Sequence, residues 1–353
     1  MRAAVLALAV LLLAAAPAGA QTNPIFQSPG IPPPGANDPA CRPTPAHPYP
    51  VILVHGTFGD MTVSWNTIAP ALEQRGFCVW ALDYGRRGTG PIDASADQLV
   101  AFIDMVRAQT GAAKVSLIGH SQGGMLARYV AVRKGRLGVV DDIIGLAPSS
   151  HGTTQPLAAP AGLFGCVACQ EQRAGSAFMR KVNEPPPEAP GPAWYTTLTT
   201  KYDEVVTPYR SQALAGDHAT NVILQDRCPT DFFEHVTIVG DPVALQWAIN
   251  ALEQPGAADP AFTPDCTGLA AAKRAQPLKI ALGKRTAKGI RVRCSGPKGA
   301  VCIGRLQSGR RAKAFRIRTG TRRVVRFKAR RVRGVLPQPG GGVQVVKRRY
   351  RLR

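Results

Sequence analysis

The chain has 353 residues, of which 45% are apolar, and its formal net charge at pH 7 is +22. This length is typical of about two domains, and the apolar fraction is that of a globular protein, which excludes a chain too polar to form a core. The charge is unevenly distributed, since residues 273–353 contain 27 Lys and Arg and no Asp or Glu, whereas residues 1–272 have a net charge of −5. The composition therefore indicates a mildly acidic body followed by a strongly basic C-terminal region.

Residues 1–20 have the pattern of a secretory signal peptide. A positive start at Arg2 is followed by an almost wholly aliphatic run over residues 3–16 and by small residues over 18–20. The aliphatic run is shorter than the ~20 residues that span a bilayer, and no later run is long enough to do so. We therefore expect cleavage after Ala20 and export of a secreted protein.

The eight cysteines are expected to form disulfides, because an exported chain meets an oxidising compartment. They fall into four neighbouring groups along the chain: Cys41 and Cys78, Cys166 and Cys169, Cys228 and Cys266, and Cys294 and Cys302. The C-x-x-C at residues 166–169 could also be half of a zinc site. No second pair of Cys or His ligands with matching spacing is present, so a local disulfide is favoured there, although the sequence does not prove any pairing.

Composition and periodicity divide the chain into successive segments. After residues 1–20 come a Pro/Gly-rich N-terminal arm over 21–50, an α/β domain over 51–258 with an inserted cap at about 152–194, a linker over 259–276 and a basic β-rich domain over 277–353. In the α/β domain, short apolar runs bounded by turn residues alternate with helical patterns, which predicts a doubly wound, mostly parallel sheet with helices on both faces. In the last segment, apolar and basic residues alternate with period two, which predicts a small basic C-terminal β-sandwich.

Two local patterns predict where helices begin. Ser95 followed by Gln98 has the form of a capping box ahead of an amphipathic helix. Asp241 followed by Pro242 combines a favoured N-cap residue with the favoured first helical residue. We expect one helix to start at each of these positions.

The segment Gly119-His120-Ser121-Gln122-Gly123 has the form of a nucleophile elbow. It follows the apolar run over 115–118 and precedes a helical pattern, which is the strand-turn-helix context that such an elbow requires. The turn is too tight for bulky neighbours, which explains the two flanking glycines. Ser121 then lies at the N-terminus of a helix, where the helix dipole and free N–H groups favour developing negative charge. The pattern predicts that Ser121 is a catalytic nucleophile.

A serine nucleophile needs a histidine base, which in this arrangement follows both the serine and an acid in the chain. Three histidines lie after Ser121. His235 is favoured because it comes just before the helix predicted at Asp241, whereas His218 precedes a strand-like run and His151 comes too early in the chain. We expect His151 to line the substrate pocket instead.

The orienting acid should follow the end of a strand, where the carboxyl ends of parallel strands converge. Asp203 comes just past the end of the strand-like segment 195–200 and is the preferred candidate. Glu204 beside it is the alternative, and Asp226 and Asp231 are weaker candidates. A plain turn or helix cap is the other interpretation of Asp203.

An oxyanion hole requires two backbone N–H groups that point at the tetrahedral oxygen. We expect one from Gln122, the residue after the nucleophile, and one from Thr57, in the loop after the first apolar strand. Gly56 allows the loop backbone to come close, and His55 is interpreted as a structural residue that bonds the loop. The residues expected to line the substrate pocket are Phe58, His151, Leu163, Phe164 and Phe178.

These motifs resemble the secreted bacterial lipases of the α/β-hydrolase superfamily that are often called class 2 lipases. The resemblance covers residues about 45–255 and is carried by an ordered series of segments: 54–57, 119–124, 147–153, the C-x-x-C at 166–169, 200–208, 228–235 and 241–245. It implies an α/β-hydrolase fold and a carboxylic ester hydrolase that acts on lipid esters, with Ser121, Asp203 and His235 as a catalytic triad. A single glycine before Thr57 resembles the lipases that accept longer acyl chains. The basic region departs from the usual single-domain pattern.

The leading interpretation is a secreted serine ester hydrolase, most simply a triacylglycerol lipase, which works through an acyl-enzyme and requires neither a metal nor an organic cofactor. An acyltransferase or a polyester depolymerase with the same triad is the alternative. A non-enzymatic polyanion-binding protein, with the basic region as its functional part, is a third interpretation.

We expect a lipid ester as substrate and a monomeric chain. The basic region could bind an anionic envelope polymer or lipid surface through its clustered charge, or it could be basic for solubility alone. Few aromatic residues lie between its charges, which argues against specific nucleic-acid recognition.

Overall fold

The computed structural model describes the chain in several stretches: residues 30–156, 165–267, 279–296, 301–308, 311–327, 329, 331–337 and 343–350. The predicted signal peptide with its cleavage site after Ala20, the beginning of the arm and the second half of the predicted linker lie outside the described residues. So do Leu163 and Phe164, two of the residues expected in the pocket. Within the described residues, no helix has the length and apolarity needed to cross a membrane.

Six parallel strands form the central sheet of the described α/β region, in the order β2-β1-β3-β4-β5-β6. Their bounds are β1 Val51–Val54, β2 Val79–Leu82, β3 Val115–His120, β4 Val140–Leu146, β5 Trp194–Thr199 and β6 Ala219–Ile223. Every residue of β1 and β2 is buried, because both faces of this part of the sheet are covered. The predicted doubly wound, mostly parallel sheet is confirmed, and its architecture is that of an α/β hydrolase.

The order of the strands creates a crevice at the carboxyl end of the sheet. From β1 the chain crosses to β2 on one side, and it then passes β1 again to reach β3 on the other side. The connections after β1 and β3 therefore diverge, and a switch point of this kind is where doubly wound sheets bind their ligands. The segments that follow these two strands begin at His55 and Ser121, so both lie at the crevice.

Helices cover both faces of the sheet. Their bounds are α1 Met61–Ser64, α2 Ile68–Gln74, α3 Gly85–Gly88, α4 Ile92–Thr110, α5 Gln122–Arg133, α6 Val167–Glu171, α7 Ala177–Asn183, α8 Leu224–Arg227 and α9 Pro242–Glu253. Short 3-10 turns lie at Leu137–Val139, Tyr209–Gln212 and Ile238–Gly240. One face of the sheet packs with α2 and α9 around the buried Trp65 and Trp247, and the other packs with α4 and α5 around Leu99 and Tyr129.

The two predicted helix starts have different outcomes. Asp241 is the N-cap of α9, as predicted, and its Oδ1 accepts a hydrogen bond of 2.8 Å from the N–H of Val243. The capping box at Ser95 is wrong, because α4 already begins at Ile92. The first N–H of α4 donates instead to the carboxylate of Glu171 at 2.7 Å. Since this partner is distant in the chain, no local pattern marks the start of α4.

All eight cysteines form disulfides, in the neighbouring pairs Cys41–Cys78, Cys166–Cys169, Cys228–Cys266 and Cys294–Cys302. The first pair ties the N-terminal arm to the residue that precedes β2. The second closes the C-x-x-C as a local disulfide, so its thiols are not zinc ligands. The third joins the end of α8 to the chain beyond α9.

The basic region contains two antiparallel sheets in its described part, with the strand orders β10-β9-β12-β13 and β11-β8-β7. Their bounds are β7 Lys279–Thr286, β8 Gly289–Ser295, β9 Val301–Ser308, β10 Arg311–Arg318, β11 Arg322–Val325, β12 Arg331–Pro337 and β13 Val343–Arg349. Apolar side chains of both sheets, among them Val292, Phe315 and Val332, form one buried core. Basic residues that alternate with them, such as Arg291 and Arg333, are exposed. The predicted small β-sandwich is confirmed.

Candidate active site

Ser121 occupies a strained turn between β3 and α5. Its φ of 53° and ψ of −121° lie in a region that residues with a side chain rarely adopt. A Cβ at Gly119 would lie 2.3 Å from the carbonyl of Gly123, and a Cβ at Gly123 would lie 2.0 Å from the carbonyl oxygen of Val54 in β1. Gly119 therefore allows the two ends of the turn to approach each other, and Gly123 allows the turn to pack directly against β1.

The three side chains that the sequence predicts as a triad lie in hydrogen-bonding contact. His235 Nε2 is 3.0 Å from Ser121 Oγ, and His235 Nδ1 is 2.8 Å from Asp203 Oδ2. All three residues are buried. When Nδ1–H donates to the carboxylate, Nε2 is the acceptor that can take the proton of the serine hydroxyl. The arrangement suits a nucleophile, a base and an orienting acid.

The Asp203 carboxylate is fixed by donors from its own loop. The N–H groups of Val205 and Val206 donate to Oδ1 at 2.9 and 2.7 Å, and the side-chain amide of Gln212 donates to Oδ2 at 2.7 Å. These bonds orient the carboxylate towards His235. The alternative acid, Glu204, is exposed.

The other candidate bases and acids occupy different environments. The ring of His218 stacks on Trp194, with 4.3 Å between the ring centroids. Asp226 forms an exposed ion pair with Lys201. Asp231 is fully buried and bonds the backbone of its own loop. It is Asp203 among the candidate acids that contacts the His235 ring.

A second histidine, which is half-buried, supports the loop that carries His235. His120 Nε2 donates to the carbonyl oxygen of His235 at 2.8 Å. Burial, together with the nearby His235 ring, lowers the pKa of His120 to about 3. The neutral ring can therefore hold the loop without placing a positive charge next to the His235 ring.

The loop after β1 brings its backbone close to Ser121. A Cβ at Gly56 would lie 3.0 Å from Ser121 Cβ, so glycine allows this close approach. Burial lowers the pKa of His55 to about 4, and the neutral ring donates from Nδ1 to the Gly56 carbonyl at 2.8 Å. The Tyr84 hydroxyl donates to the His55 carbonyl at 2.5 Å. The hydrogen bonds of His55 and Tyr84 therefore hold the backbone of this loop in place.

Two glutamine side chains position Thr57. Gln122 Nε2 and Gln172 Nε2 donate to Thr57 Oγ1 at 3.1 and 3.0 Å, and Ser149 Oγ donates to Gln172 Oε1 at 2.8 Å. Within the described residues, the backbone N–H groups of Thr57 and Gln122 donate to no other group. Both therefore remain available to a bound oxyanion.

Sequence reasoning missed Gln172 and Gln212. Gln172 follows the last residue of α6 and reaches a loop more than a hundred positions earlier in the chain. Gln212 ends a 3-10 turn and contacts Asp203. Neither residue belongs to a local motif, because each partner is supplied by the fold.

A cavity of about 660 Å³ opens beside Ser121 Oγ and His235. Its apolar lining comes mainly from Phe58, Val63, Val205, Val206, Val236 and Val239. Polar side chains of Gln155, Gln172 and Glu204 also reach it. Phe58, which the sequence places in the pocket, is 49% exposed, so an apolar ring lies at the cavity mouth.

Two other residues expected in the pocket need correction. His151 does not occur among the described residues that line the cavity, because Ser211 and Glu188 engage its two ring nitrogens. Phe178 is buried against Tyr129, with 5.1 Å between ring centroids, in the core on the α5 side of the sheet. The apolar face of α7 thus packs on the body of the protein.

The parallel sheet, the elbow and the crevice define an α/β hydrolase. Residues 48–248 match the family described as lipase (class 2), so the chain belongs to the class 2 lipase family.

Curated relatives include triacylglycerol lipases. The one from Pseudarthrobacter phenanthrenivorans is 42% identical over 90 residues, which are 24% of this chain and 28% of that protein. The one from Pseudomonas fragi is 35% identical over 109 residues, which are 30% of this chain and 36% of that protein. The chain thus spans about a third or less of the length of these relatives.

Among solved structures, lipase B of Aspergillus fumigatus has a similar fold. The TM-score is 0.52 at 22% identity, and the similarity covers 60% of this chain and 54% of that one.

Proposed function

We propose that the protein is a secreted serine carboxylic ester hydrolase, and in particular a triacylglycerol lipase. The observation that carries this proposal is the relay from Asp203 Oδ2 through both ring nitrogens of His235 to Ser121 Oγ, with contacts of 2.8 and 3.0 Å. The relay lies beside the free N–H groups of Thr57 and Gln122. Attack on a carbonyl carbon and binding of the resulting oxyanion need these two elements together.

In the proposed reaction His235 Nε2 takes the hydroxyl proton while Ser121 Oγ forms a bond to the ester carbonyl carbon. The carbonyl oxygen becomes an oxyanion and accepts hydrogen bonds from the N–H groups of Thr57 and Gln122. The carbon–oxygen bond to the alcohol then breaks, and His235 gives its proton to the leaving oxygen. Water repeats these steps on the acyl-serine, which releases the carboxylic acid and restores the serine hydroxyl. Asp203 keeps the imidazole oriented and stabilises its positive charge.

Lipid esters are the proposed substrates because the cavity beside Ser121 has an apolar lining, formed by Phe58 and five valines. Three of its apolar lining residues, Phe58, Val205 and Val236, are 49%, 37% and 53% exposed. Exposed apolar side chains around a cavity mouth suit contact with a lipid phase. The volume is within the range of about 300–1,000 Å³ that is usual for small-molecule sites. The names of the triacylglycerol lipase relatives agree with this substrate class.

Covalent labelling tests the assignment of Ser121. A p-nitrophenyl alkylphosphonate should release one p-nitrophenolate per chain and leave one phosphonyl group, located at Ser121 by peptide mass spectrometry. The reaction needs the folded relay, because an ordinary serine hydroxyl is a weak nucleophile. Protein unfolded in denaturant is the matched control and should not react. An adduct on another residue, or equal labelling of folded and unfolded protein, would contradict the proposal.

The proposal includes secretion and two domains. Residues 1–20 would be removed, and disulfides in the described residues fit an oxidising compartment. The α/β region and the β-sandwich have separate buried cores, which supports a catalytic domain over 51–258, including the cap at about 152–194, and a basic domain over 277–353.

We also propose that the basic domain binds an anionic lipid surface. Arg331 lies directly opposite Arg349 on neighbouring strands, and Arg333 lies opposite Lys347, with all four exposed. Like charges directly opposite each other are destabilising on their own. An anionic surface would relieve this repulsion and release counterions, and lipid phosphates would bring the enzyme to its ester substrate.

Reversal of two of these charges should weaken binding to anionic vesicles. Each basic residue near a membrane surface contributes about 1 kcal/mol, so the double variant R331E/R333E should bind phosphatidylglycerol vesicles at least about tenfold more weakly than wild type. Sedimentation with vesicles over a range of salt concentrations measures this. The control R42E/R173E makes the same charge change at exposed positions of the α/β region. Equal weakening in both variants would show that only net charge matters.

A further inference from the structure

Two buried carboxyl groups mark the ends of the segment that carries His235. Asp231 and Asp241 are 0% and 1% exposed, and their carboxyl groups lie within interaction distance of each other. Asp231 Oδ1 also accepts from the N–H of Phe233 at 2.9 Å, and Asp241 Oδ1 accepts from the N–H of Val243 at 2.8 Å. The proposed reaction uses neither group, so their contact calls for a separate explanation.

Two carboxyl groups in contact inside a protein share a proton. Both cannot be ionised, because the charges would repel each other without water to screen them, whereas a protonated group donates a hydrogen bond to the ionised one. Burial and the charge of Asp231 raise the pKa of Asp241 to about 8. The other groups that bond its carboxyl are backbone N–H groups of Val243 and Ala244, and Asp231 is the titratable group that faces it in the described residues.

The segment between the two acids is held at its middle by the sheet. Thr200 Oγ1 donates to the Phe233 carbonyl at 2.7 Å, and His120 Nε2 donates to the His235 carbonyl at 2.8 Å. The acid at one end belongs to the N-cap of α9. The acid at the other end has its carbonyl bonded by Gln225 Nε2 at 3.2 Å. The pair therefore closes the ends of a loop whose middle presents the His235 ring.

We propose that Asp231 and Asp241 form a carboxyl clasp, held by one shared proton, that positions His235 between Ser121 and Asp203. This role rests on the function proposed above for His235. Loss of the shared proton leaves two buried negative charges in contact, so the ends of the loop separate and the His235 ring leaves the relay. The two acids are positioning residues, since neither touches the reacting atoms.

The pH dependence of turnover tests the clasp on the full-length enzyme. With a soluble short-chain ester in a pH-stat, kcat of the wild type should fall reversibly by about tenfold per pH unit above about pH 8, with little change in KM. D241N should keep its kcat in this range, because Asn remains an N-cap and its amide donates to the Asp231 carboxylate at any pH. D231N should behave in the same way. D259N, which changes an exposed acid beyond α9, is the matched control and should follow the wild type.

Stability gives a readout that does not depend on catalysis. Because the pKa of Asp241 is higher in the folded state than in the unfolded state, the folded protein binds the extra proton, and the free energy of unfolding should fall as pH rises from about 4 to about 8. D241N should remove this part of the slope in denaturant titrations.

The two readouts together separate the possible outcomes. If D241N and D231N match the wild type in both kcat profile and stability slope, the clasp does not exist. If the slope changes but the alkaline fall in kcat persists in both variants, the pair does not position His235 and the inference is overturned. Failure of the phosphonate to label Ser121 would instead remove the proposed function, while the stability slope would still report on the pair.

Discussion

Replacement of Ser121 by Ala is expected to lower kcat for ester hydrolysis by about 10⁵- to 10⁶-fold. In the proposed reaction, the variant removes the oxygen that attacks the ester carbonyl carbon, and it leaves His235 and Asp203 with no nucleophile to activate. The remaining catalysis over water would come from the N–H groups of Thr57 and Gln122 and from binding in the cavity. A fluorogenic ester assay at high enzyme concentration measures the loss.

The fold should survive this change. Ala tolerates the strained φ of 53° at position 121 as well as Ser does, because both carry a Cβ. The cavity lining does not depend on Ser121 Oγ, so KM should remain within about threefold of wild type, as expected when an interaction made only in the transition state is lost. A variant that is folded and retains more than about a tenth of the wild-type kcat would contradict the assignment of Ser121 as nucleophile.

Sequence patterns predicted those parts of the structure that local rules decide. The glycines at 119 and 123 indicated the elbow because a tight strand-to-helix turn excludes side chains. Asp241 followed by Pro242 indicated the start of α9 because the capping residue is adjacent in the chain to the helix that it caps. Period-two alternation of apolar and basic residues indicated the β-sandwich, because successive side chains of a strand point to opposite faces. In each case the cause lies within a few residues of the effect.

Parts of the structure that depend on distant partners were not predictable in this way. The start of α4 at Ile92 depends on Glu171, which only the fold brings to the helix N-terminus. Gln172 reaches Thr57 for the same reason. Phe178 looked like a pocket residue, but its helix turns that face towards Tyr129. The proposed clasp of Asp231 and Asp241 would likewise join two acids that have no shared motif.

Replacement of Gly123 by Ala should destabilise the α/β region by more than about 4 kcal/mol, because overpacking against a fixed backbone is among the most destabilising single changes. The added Cβ would lie 2.0 Å from the Val54 carbonyl oxygen and 2.6 Å from that of His55. Neither atom can give way easily, because β1 is paired on both sides, with β2 and β3. The elbow would have to separate from the strand, which would also move Ser121.

Tryptophan fluorescence during denaturation measures this effect in the α/β region alone, because all four tryptophans precede residue 258. The control is Gly138→Ala, at a position where an added Cβ has no neighbour within 4 Å, and it should change the free energy of unfolding by less than about 1 kcal/mol. If Gly123→Ala does not accumulate as folded protein while the control does, the expected loss exceeds the stability of the domain. A loss of less than about 1 kcal/mol would mean that the elbow can move away from β1, and that contact with β1 does not hold Ser121 in its strained conformation.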